Sequence, residues 1–121
     1  MKTFKRLTGD KGEKIVAKYL KKHKYKVLER NFETRYGEID IICKNKECLC
    51  FVEVKTRKAG SLFRPYLAVN RNKQLRIIKS AYAYLKKNPC EDRMYRFDIA
   101  EVLYDEDGEM SINYIENAFS I

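Results

Sequence analysis

The residues best suited to chemistry are three acids and a lysine in two consecutive strand-like segments, which a short polar sequence separates. Such an arrangement predicts a β-hairpin. With the turn centred on residues 46–47, Asp40 lies directly opposite Glu53. In the same register Glu38 lies opposite Lys55, and the alternation of side chains along a strand places all four on one face of the sheet. The hairpin is therefore predicted to bring two carboxylates together beside a lysine.

Two carboxylates in contact repel each other, and the repulsion grows where apolar neighbours such as Ile42 and Phe51 exclude water. A divalent cation that binds both carboxylates would offset this cost, and oxygen ligands favour Mg²⁺ or Mn²⁺ over zinc. Asp40 and Glu53 are therefore the predicted metal ligands, with Lys55 as a neighbouring positive charge. The alternative is that these charges form the solvated face of the hairpin and that Lys55 pairs with Glu38.

Two helical side chains are predicted to face the same sheet. Glu13 lies on the apolar side of the first predicted helix, and Gly9 and Gly12 would let that helix come close to the sheet. The apolar side consists of Val16, Ala17 and Leu20. On the second predicted helix, Gln74 faces the sheet whereas Lys73 points outward, given a rotation of about 100° per residue.

The elements that position these residues follow from hydrophobic periodicity and from turn residues. The predicted order is helix, three strands, helix, strand, strand, over residues 10–23, 25–32, 38–44, 49–57, 70–88, 96–104 and 111–116. Thr8 or Gly9 is predicted to cap the first helix, and Asn70 or Asn72 the second. The apolar stripe predicted for the second helix is Leu75, Ile78, Tyr82 and Leu85. This order predicts an α/β or α+β domain over residues 1–121, with helices on the faces of a mixed sheet.

The overall charge points to an anionic partner. The chain has 121 residues, with 26 Lys and Arg against 17 Asp and Glu, which gives a net charge of +9. On so small a body this field attracts polyanions, most commonly nucleic acid, although ribosome-associated and membrane-surface proteins share it. No apolar run has the length of a membrane span, and the charged N-terminus lacks the apolar centre of a signal peptide. We therefore expect a cytoplasmic protein.

The cysteines and the single histidine predict no competing site. Cys43 and Cys50 lie opposite each other in the predicted hairpin, on the face away from the acids. Cys48 and Cys50 lack the two-residue gap of a zinc knuckle, and Cys90 is remote in the sequence. Disulfides are not expected to persist in a reducing cytoplasm, which predicts free thiols. His23 has no partner with which to build a nucleophilic triad.

Basic residues follow the predicted acid site along the chain and also cover the first helix. Such residues often serve only to solvate an exposed face, but their position beside the acids favours a track for a phosphate backbone. The residues of this predicted track are Arg57, Lys58, Arg64, Arg71, Lys73 and Arg76. The lysines on the outer side of the first helix are Lys11, Lys14, Lys18, Lys21 and Lys22.

Several short motifs, spread over nearly the whole chain, together resemble the YraN family, a small bacterial family of uncharacterised function. They are Gly12-Glu13, Arg30-Asn31-Phe32, Tyr36-Gly37-Glu38-Ile39-Asp40, Phe51-Val52-Glu53-Val54-Lys55-Thr56-Arg57, Val69-Asn70, Lys73, Arg96-Phe97-Asp98 and Asn117-Ala118-Phe119. That family in turn resembles the PD-(D/E)xK nuclease superfamily, which includes the archaeal Holliday junction resolvases. The chain departs from the family at Arg64, where Gly is usual, and at Leu67, where an acid is common.

The resemblance implies a restriction-endonuclease-like αβββαβ core and a metal-dependent nuclease that acts on DNA, including branched or structured DNA. Asp40 and Glu53 would hold Mg²⁺ or Mn²⁺, and Glu13 would support the ion directly or through water. Lys55 would orient the attacking water or stabilise charge on the phosphate, and Gln74 resembles a glutamine on the second core helix of some of these nucleases. Because resolvase-like relatives act as dimers, a homodimer is one option. The alternative functions are a non-catalytic nucleic-acid-binding module on a nuclease fold and an adaptor for a protein partner.

Overall fold

A computed structural model describes residues 4–60, 69–90 and 94–121, with side chains described from residue 10 onward. Its elements are α1 (Phe4–Lys22), β1 (Lys26–Thr34), β2 (Gly37–Lys44), β3 (Cys48–Lys58), α2 (Arg71–Lys87), β4 (Met94–Tyr104) and β5 (Met110–Phe119). The predicted order of elements is confirmed.

The sequence predicted the N-cap of α2 correctly but not the start of α1. α1 begins at Phe4, so neither Thr8 nor Gly9 is its N-cap. A glycine within a helix costs about 1 kcal/mol relative to alanine but does not end the helix as proline does. α2 is capped by Asn70, as predicted, because the side chain of Asn70 accepts a hydrogen bond from the backbone N–H of Lys73 at 3.0 Å.

The five strands form one mixed sheet in the order β1-β2-β3-β4-β5. Neighbouring strands are antiparallel except for β3 and β4, which are parallel. A parallel pair needs a long crossover connection, and α2 lies in the segment between these two strands. The predicted α+β architecture, with a mixed sheet and two helices, is therefore confirmed.

The helices lie on opposite faces of the sheet and each covers its own apolar cluster. The α1 side contains Val16, Ala17, Leu20, Ile41, Cys43, Cys48, Cys50, Val52, Ala100 and Val102. The α2 side contains Ile39, Ile42, Leu49, Phe51, Val69, Ile77, Ile78, Ala81, Tyr84, Phe97, Ile99 and Phe119. The predicted apolar side of α1 is confirmed, and Cys43 and Cys50 face away from the α2 side, as expected for buried free thiols.

The apolar stripe predicted for α2 is confirmed at two of its four positions. Ile78 is buried and Leu85 packs against the core, whereas Leu75 and Tyr82 are 41% and 53% exposed. The helix also buries Ile77, Ser80, Ala81 and Tyr84. Apolar residues occupy much of the circumference of this helix, so periodicity allowed more than one stripe, and packing against the sheet selected one rotated from the prediction.

Gly12 allows a close approach between α1 and β3. A Cβ atom at this position would overlap Oγ1 of Thr56 and lie 3.7 Å from Cγ2 of Val102. The prediction that a glycine brings α1 close to the sheet is therefore confirmed at Gly12. Glu13 is the next residue of the helix, so this close approach also sets the position of Glu13 relative to the sheet.

Neither α1 nor α2 combines the length and the apolar character needed to cross a lipid bilayer.

Candidate active site

The two predicted metal ligands lie where β2 and β3 separate. The predicted register is confirmed from the Lys44–Leu49 pair to the Ile41–Val52 pair, where the β2–β3 ladder ends. It does not extend to Asp40: beyond Ile41 and Val52, β3 stays paired with β4 and β2 stays paired with β1, but the two strands are no longer paired with each other. In place of a ladder bond, Oδ2 of Asp40 accepts a hydrogen bond from the backbone N–H of Val54 at 2.7 Å. A carboxylate thus fills the gap between the diverging strands.

The same divergence corrects the predicted pairing of Glu38 with Lys55. Glu38 pairs across the ladder with Glu33 of β1 and is exposed. Lys55 pairs with Glu101 of β4 in the parallel register. Glu38 therefore lies at the rim of the site, where its negative charge raises the pKa of Glu13.

Asp40 and Glu53 nevertheless form the close acid pair that the sequence predicted. Burial raises the pKa of Asp40 well above its usual range, and the negative charge of Glu53 raises it further. A hydrogen bond between the two carboxyl groups acts in the same direction, whereas the Val54 N–H opposes it. Glu53 is itself only 4% exposed. The pair is therefore relieved either by a proton on Asp40 or by a cation between the two groups.

Two lysines flank Glu53 from different elements. Nζ of Lys55, two residues along β3, lies 3.8 Å from Oε1 of Glu53. Nζ of Lys73, in the first turn of α2, lies 3.6 Å from the same oxygen. The prediction that Lys73 points outward is wrong, because α2 turns Ile77 toward the sheet and Lys73 lies one turn before it on that side.

Glu13 approaches the acids from the opposite face of the sheet. Burial raises the pKa of Glu13, the charge of Arg30 opposes this, and the charges of Glu38 and Asp10 add to it. The negative charge of Glu13 in turn raises the pKa of Asp40. Within the described residues, Oε1 of Glu13 is the one buried side-chain nitrogen or oxygen without a hydrogen-bond partner.

Asn31 is a site residue that sequence reasoning did not select. A polar contact from its side chain acts to lower the pKa of Glu13. Its φ of 53° lies in the left-handed region although it is within β1, where most residues would be strained. Asparagine tolerates this conformation better than other non-glycine residues, so an Asn inside a strand-like segment was the available signal.

A small cavity of about 160 Å³ opens beside the acid pair. Its lining residues are Gly37, Glu38, Asp40, Glu53, Lys73, Arg76 and Ile77. At about 30 Å³ for each water, this volume holds about five waters, or one phosphate group with fewer waters. The cavity suits one phosphate-sized group on an extended chain that crosses the surface.

The donor set fits a hard divalent cation that keeps some of its waters. In the described parts of the chain, no group of three or more His, Cys, Asp or Glu side chains could hold a metal ion. Mg²⁺ is often bound by one or two carboxylates, with waters and substrate phosphates as the other ligands. Asp40 and Glu53 match that pattern. The partnerless oxygen of Glu13 is suited to accept a hydrogen bond from a water in that shell.

The remaining predicted site residues lie at different distances from the acid pair, and not all of them line the cavity. Gln74 does not line the cavity, because its Nε2 donates to the Val69 carbonyl and its Oε1 accepts from Arg71, each at 3.1 Å. Arg71 also donates to the Ser120 carbonyl at 2.9 Å, and Arg76 lines the cavity. Arg57 and Lys58 are exposed at the end of β3. Arg64 lies outside the described residues.

The motif residues Arg96, Asp98 and Asn117 belong to a different part of the molecule. Asp98 is fully buried and accepts hydrogen bonds from Arg96 Nε at 2.9 Å, Tyr114 Oη at 2.6 Å and the Asn117 N–H at 2.9 Å. These bonds hold the irregular end of β5 against β4, next to the shift in their register. This cluster stabilises the sheet and adds nothing to the acid pair.

The fold and the site together define the class of protein: an α+β domain in which two helices flank a five-stranded mixed sheet, with an acid pair where its central hairpin divides. Residues 12–102 match the uncharacterised protein family UPF0102. The chain belongs to this family, which is the YraN family whose motifs it carries.

Relatives in this family cover almost the entire chain. A UPF0102 protein of Trichlorobacter lovleyi is 45% identical over 114 residues, which are 93% of this chain and 90% of the relative. A UPF0102 protein of Clostridium acetobutylicum is 40% identical over 122 residues and covers 100% of both chains. Among solved structures, Pyrococcus furiosus SfsA in complex with Ca²⁺ aligns with a TM-score of 0.37 and 14% identity, over 97% of this chain and 65% of that one. This last likeness is too low to bear on the site.

Proposed function

We propose that the protein is a metal-dependent nuclease that hydrolyses phosphodiester bonds in DNA, with branched or structured DNA as the favoured substrate. The observation that carries the proposal is the close pair of Asp40 and Glu53, which line one small cavity, with the ammonium groups of Lys55 and Lys73 at 3.8 and 3.6 Å from Glu53. Two acids that repel each other can hold a cation, and nearby ammonium groups can meet a phosphate. The proposal also implies a cytoplasmic protein, and it leaves a homodimer as one form that could cut both strands.

The chemistry divides between the acids and the bases. When bound by Asp40 and Glu53, Mg²⁺ or Mn²⁺ supplies activation of water and neutralisation of charge on the phosphate. Lys55 lies close enough to Glu53 to meet the same phosphate and to stabilise the charge that builds on its oxygens. Lys73 and Arg76 contribute positive charge from the other wall of the cavity.

Glu13 acts on the acid pair through a water molecule. Its partnerless Oε1 can accept a hydrogen bond from a water, and its raised pKa allows it to hold a proton that other carboxylates would release. The side chain of Asn31 adds a polar contact to this carboxyl group, which acts to lower its pKa. Both features suit a group that orients a water molecule at the edge of the site.

A second candidate is a nucleic-acid-binding module that does not cleave. It is favoured by the two lysines at Glu53, because they neutralise part of the acidic charge without a metal ion. A site balanced in this way can remain folded while it serves only to position a phosphate backbone.

The test is a cleavage screen with Mg²⁺, Mn²⁺ or EDTA over single-stranded, duplex, flap and four-way-junction DNA. We expect metal-dependent cleavage of at least one substrate, and a loss of about a hundredfold or more in Glu53→Gln and in Lys55→Ala. Glu47→Gln and Lys46→Ala are the matched controls, because both residues are exposed in the hairpin turn. The controls should cleave as the wild type does.

Binding measurements separate the two candidates. Glu53→Gln should retain most of its affinity for DNA, because affinity depends on many phosphate contacts that replace one another. Arg76→Glu should weaken binding, and Arg76 is preferred to Arg71 for this purpose because Arg71 also holds the Ser120 carbonyl. If the wild type and Glu53→Gln are equally inactive on every substrate while Arg76→Glu still weakens binding, the nuclease proposal is wrong and the binding module replaces it.

A further inference from the structure

The outer side of α1 carries a row of lysines that the acid site does not use. We call it the lysine face, and its members are Lys11, Lys14, Lys18, Lys21 and Lys22. All are exposed, and they span about 16 Å along the helix at 1.5 Å per residue. At 100° per residue they fall within an arc of about 100°, opposite the buried side of the same helix. The lysine face is therefore one continuous basic strip.

None of these lysines forms an ion pair with any described residue. Within the strip, lysines recur three and four residues apart, and like charges at these spacings destabilise a helix. The helix dipole accounts for Lys21 and Lys22, which lie in the last turn, but Lys11 and Lys14 lie far from that end. The charge on the first half of the strip therefore has no partner within the described fold.

The cations of α2 differ, because several are already engaged. Lys73 pairs with Glu53, and Nζ of Lys79 lies 5.7 Å from the centre of the Tyr36 ring. Arg71 donates to a backbone carbonyl. The lysine face of α1 is thus a second basic surface, separate from the phosphate track that sequence reasoning placed on α2 and the end of β3.

We propose that the lysine face is a second nucleic-acid-binding surface, which contacts the phosphate backbone of a different segment from the one that enters the acid site. The proposal rests on nucleic acid being the substrate, as argued above. The two helices cover opposite faces of the sheet, so one straight segment cannot lie along the outer sides of both. A row of flexible ammonium groups without aromatic residues suits regularly spaced phosphates rather than bases.

An anionic membrane is the less favoured occupant of the lysine face. A helix that lies on a membrane inserts its apolar side between the lipids. The apolar side of α1 is instead buried against the sheet, where Val16 and Leu20 are fully inaccessible. A membrane would therefore attract this helix only through charge. A polynucleotide attracts it through charge as well, and its phosphates are arranged in a row, as the lysines are.

The test compares two triple variants that each remove three positive charges from exposed lysines. Lys14→Gln/Lys18→Gln/Lys21→Gln alters the lysine face, and Lys46→Gln/Lys86→Gln/Lys87→Gln is the control. Binding of a labelled four-way junction is measured in EDTA, where cleavage is not expected, over a series of salt concentrations. The lysine-face variant should lose about tenfold or more in affinity and reduce the slope of log K against log salt by about 2 to 3. The control should change neither quantity by more than a small fraction of this.

The outcomes separate this proposal from the proposed function. If the lysine-face variant binds as the control does while metal-dependent cleavage persists, the second surface is wrong and the nuclease stands. If no substrate is cleaved but the lysine-face variant still loses affinity selectively, the second surface stands and the nuclease is wrong. If the wild type binds no nucleic acid but binds vesicles rich in phosphatidylserine through the lysine face, a membrane replaces nucleic acid and the proposal is overturned.

Discussion

At the scale of single residues, the acid pair places opposing demands on the site. Asp40 is held by the Val54 N–H, which favours its charged form, but it is partly buried beside Glu53 and near Glu13, which favours its neutral form. The second influence is the stronger, because the pKa of Asp40 is raised overall. Without a cation, the folded protein therefore holds a proton at Asp40 more tightly than the unfolded chain does.

This predicts a pH-dependent stabilisation by Asp40→Asn. A raised pKa in the folded state means that the contribution of Asp40 to stability is present at acid pH and is lost as the pH rises through that pKa. In EDTA at neutral pH, Asp40→Asn should therefore unfold at a higher temperature than the wild type, and the difference should shrink toward zero near pH 4. Thermal unfolding monitored by circular dichroism over pH 4–8 measures this difference. A wild type that is the more stable of the two at neutral pH would contradict it.

The residues of the site were predictable to the extent that they depend on strand alternation. The period of two placed Asp40 and Glu53 together, and an amphipathic helix turned Glu13 inward. Lys73 and Asn31 were not predictable in the same way, since one depends on how α2 is rotated and the other on a single backbone torsion angle. Neither quantity leaves a periodic trace in the sequence.

At the scale of elements, the site depends on where α1 sits above β3. The contact between Gly12 and Thr56 sets that height, and Glu13 follows directly along the helix. The sequence marked the glycine but not its partner, because the crossing point of a helix over a strand depends on the packing of both. The division of the hairpin beyond Ile41 was likewise hidden, since alternation looks the same in a paired strand and in one that turns away.

We predict that Gly12→Ala destabilises the wild type but not a Thr56→Ala background. In the wild type the new methyl group overlaps the Thr56 side chain, and such overpacking costs about 1–3 kcal/mol. Once Thr56 is alanine, the overlap is removed and the higher helix propensity of alanine should raise the free energy of unfolding by up to about 1 kcal/mol. Urea unfolding of the two single variants, the double variant and the wild type gives the coupling. Equal effects of Gly12→Ala in both backgrounds would show that the contact does not limit the approach.

At the scale of the whole molecule, a bound cation should stabilise the fold. The acids at the divided hairpin come from α1, β2 and β3, and lysines from β3 and α2 surround them. A ligand that binds only when these elements are assembled raises the free energy of unfolding of the entire domain.

We therefore predict that Mg²⁺ or Mn²⁺ raises the melting temperature. At ten times the dissociation constant the gain is about 1.4 kcal/mol, or about 4 to 6 °C for a small domain. Glu53→Gln should abolish the rise and Glu47→Gln should retain it, as followed by differential scanning calorimetry. A rise of equal size in both variants would place the bound ion elsewhere on the molecule.

The hydrogen bond between Asp40 and Val54 also allows the state of the site to be followed through a single amide proton. In the ladder next to it, the amide protons are held by backbone carbonyls, whereas the Val54 amide is held by a side chain that belongs to the site. Hydrogen–deuterium exchange at Val54 should therefore accelerate by about tenfold or more in Asp40→Ala, while exchange at Val52 changes little, because only local opening is affected. In the wild type, occupation of the acid pair should change the amide chemical shift of Val54, so that one NMR cross-peak reports binding before any product forms.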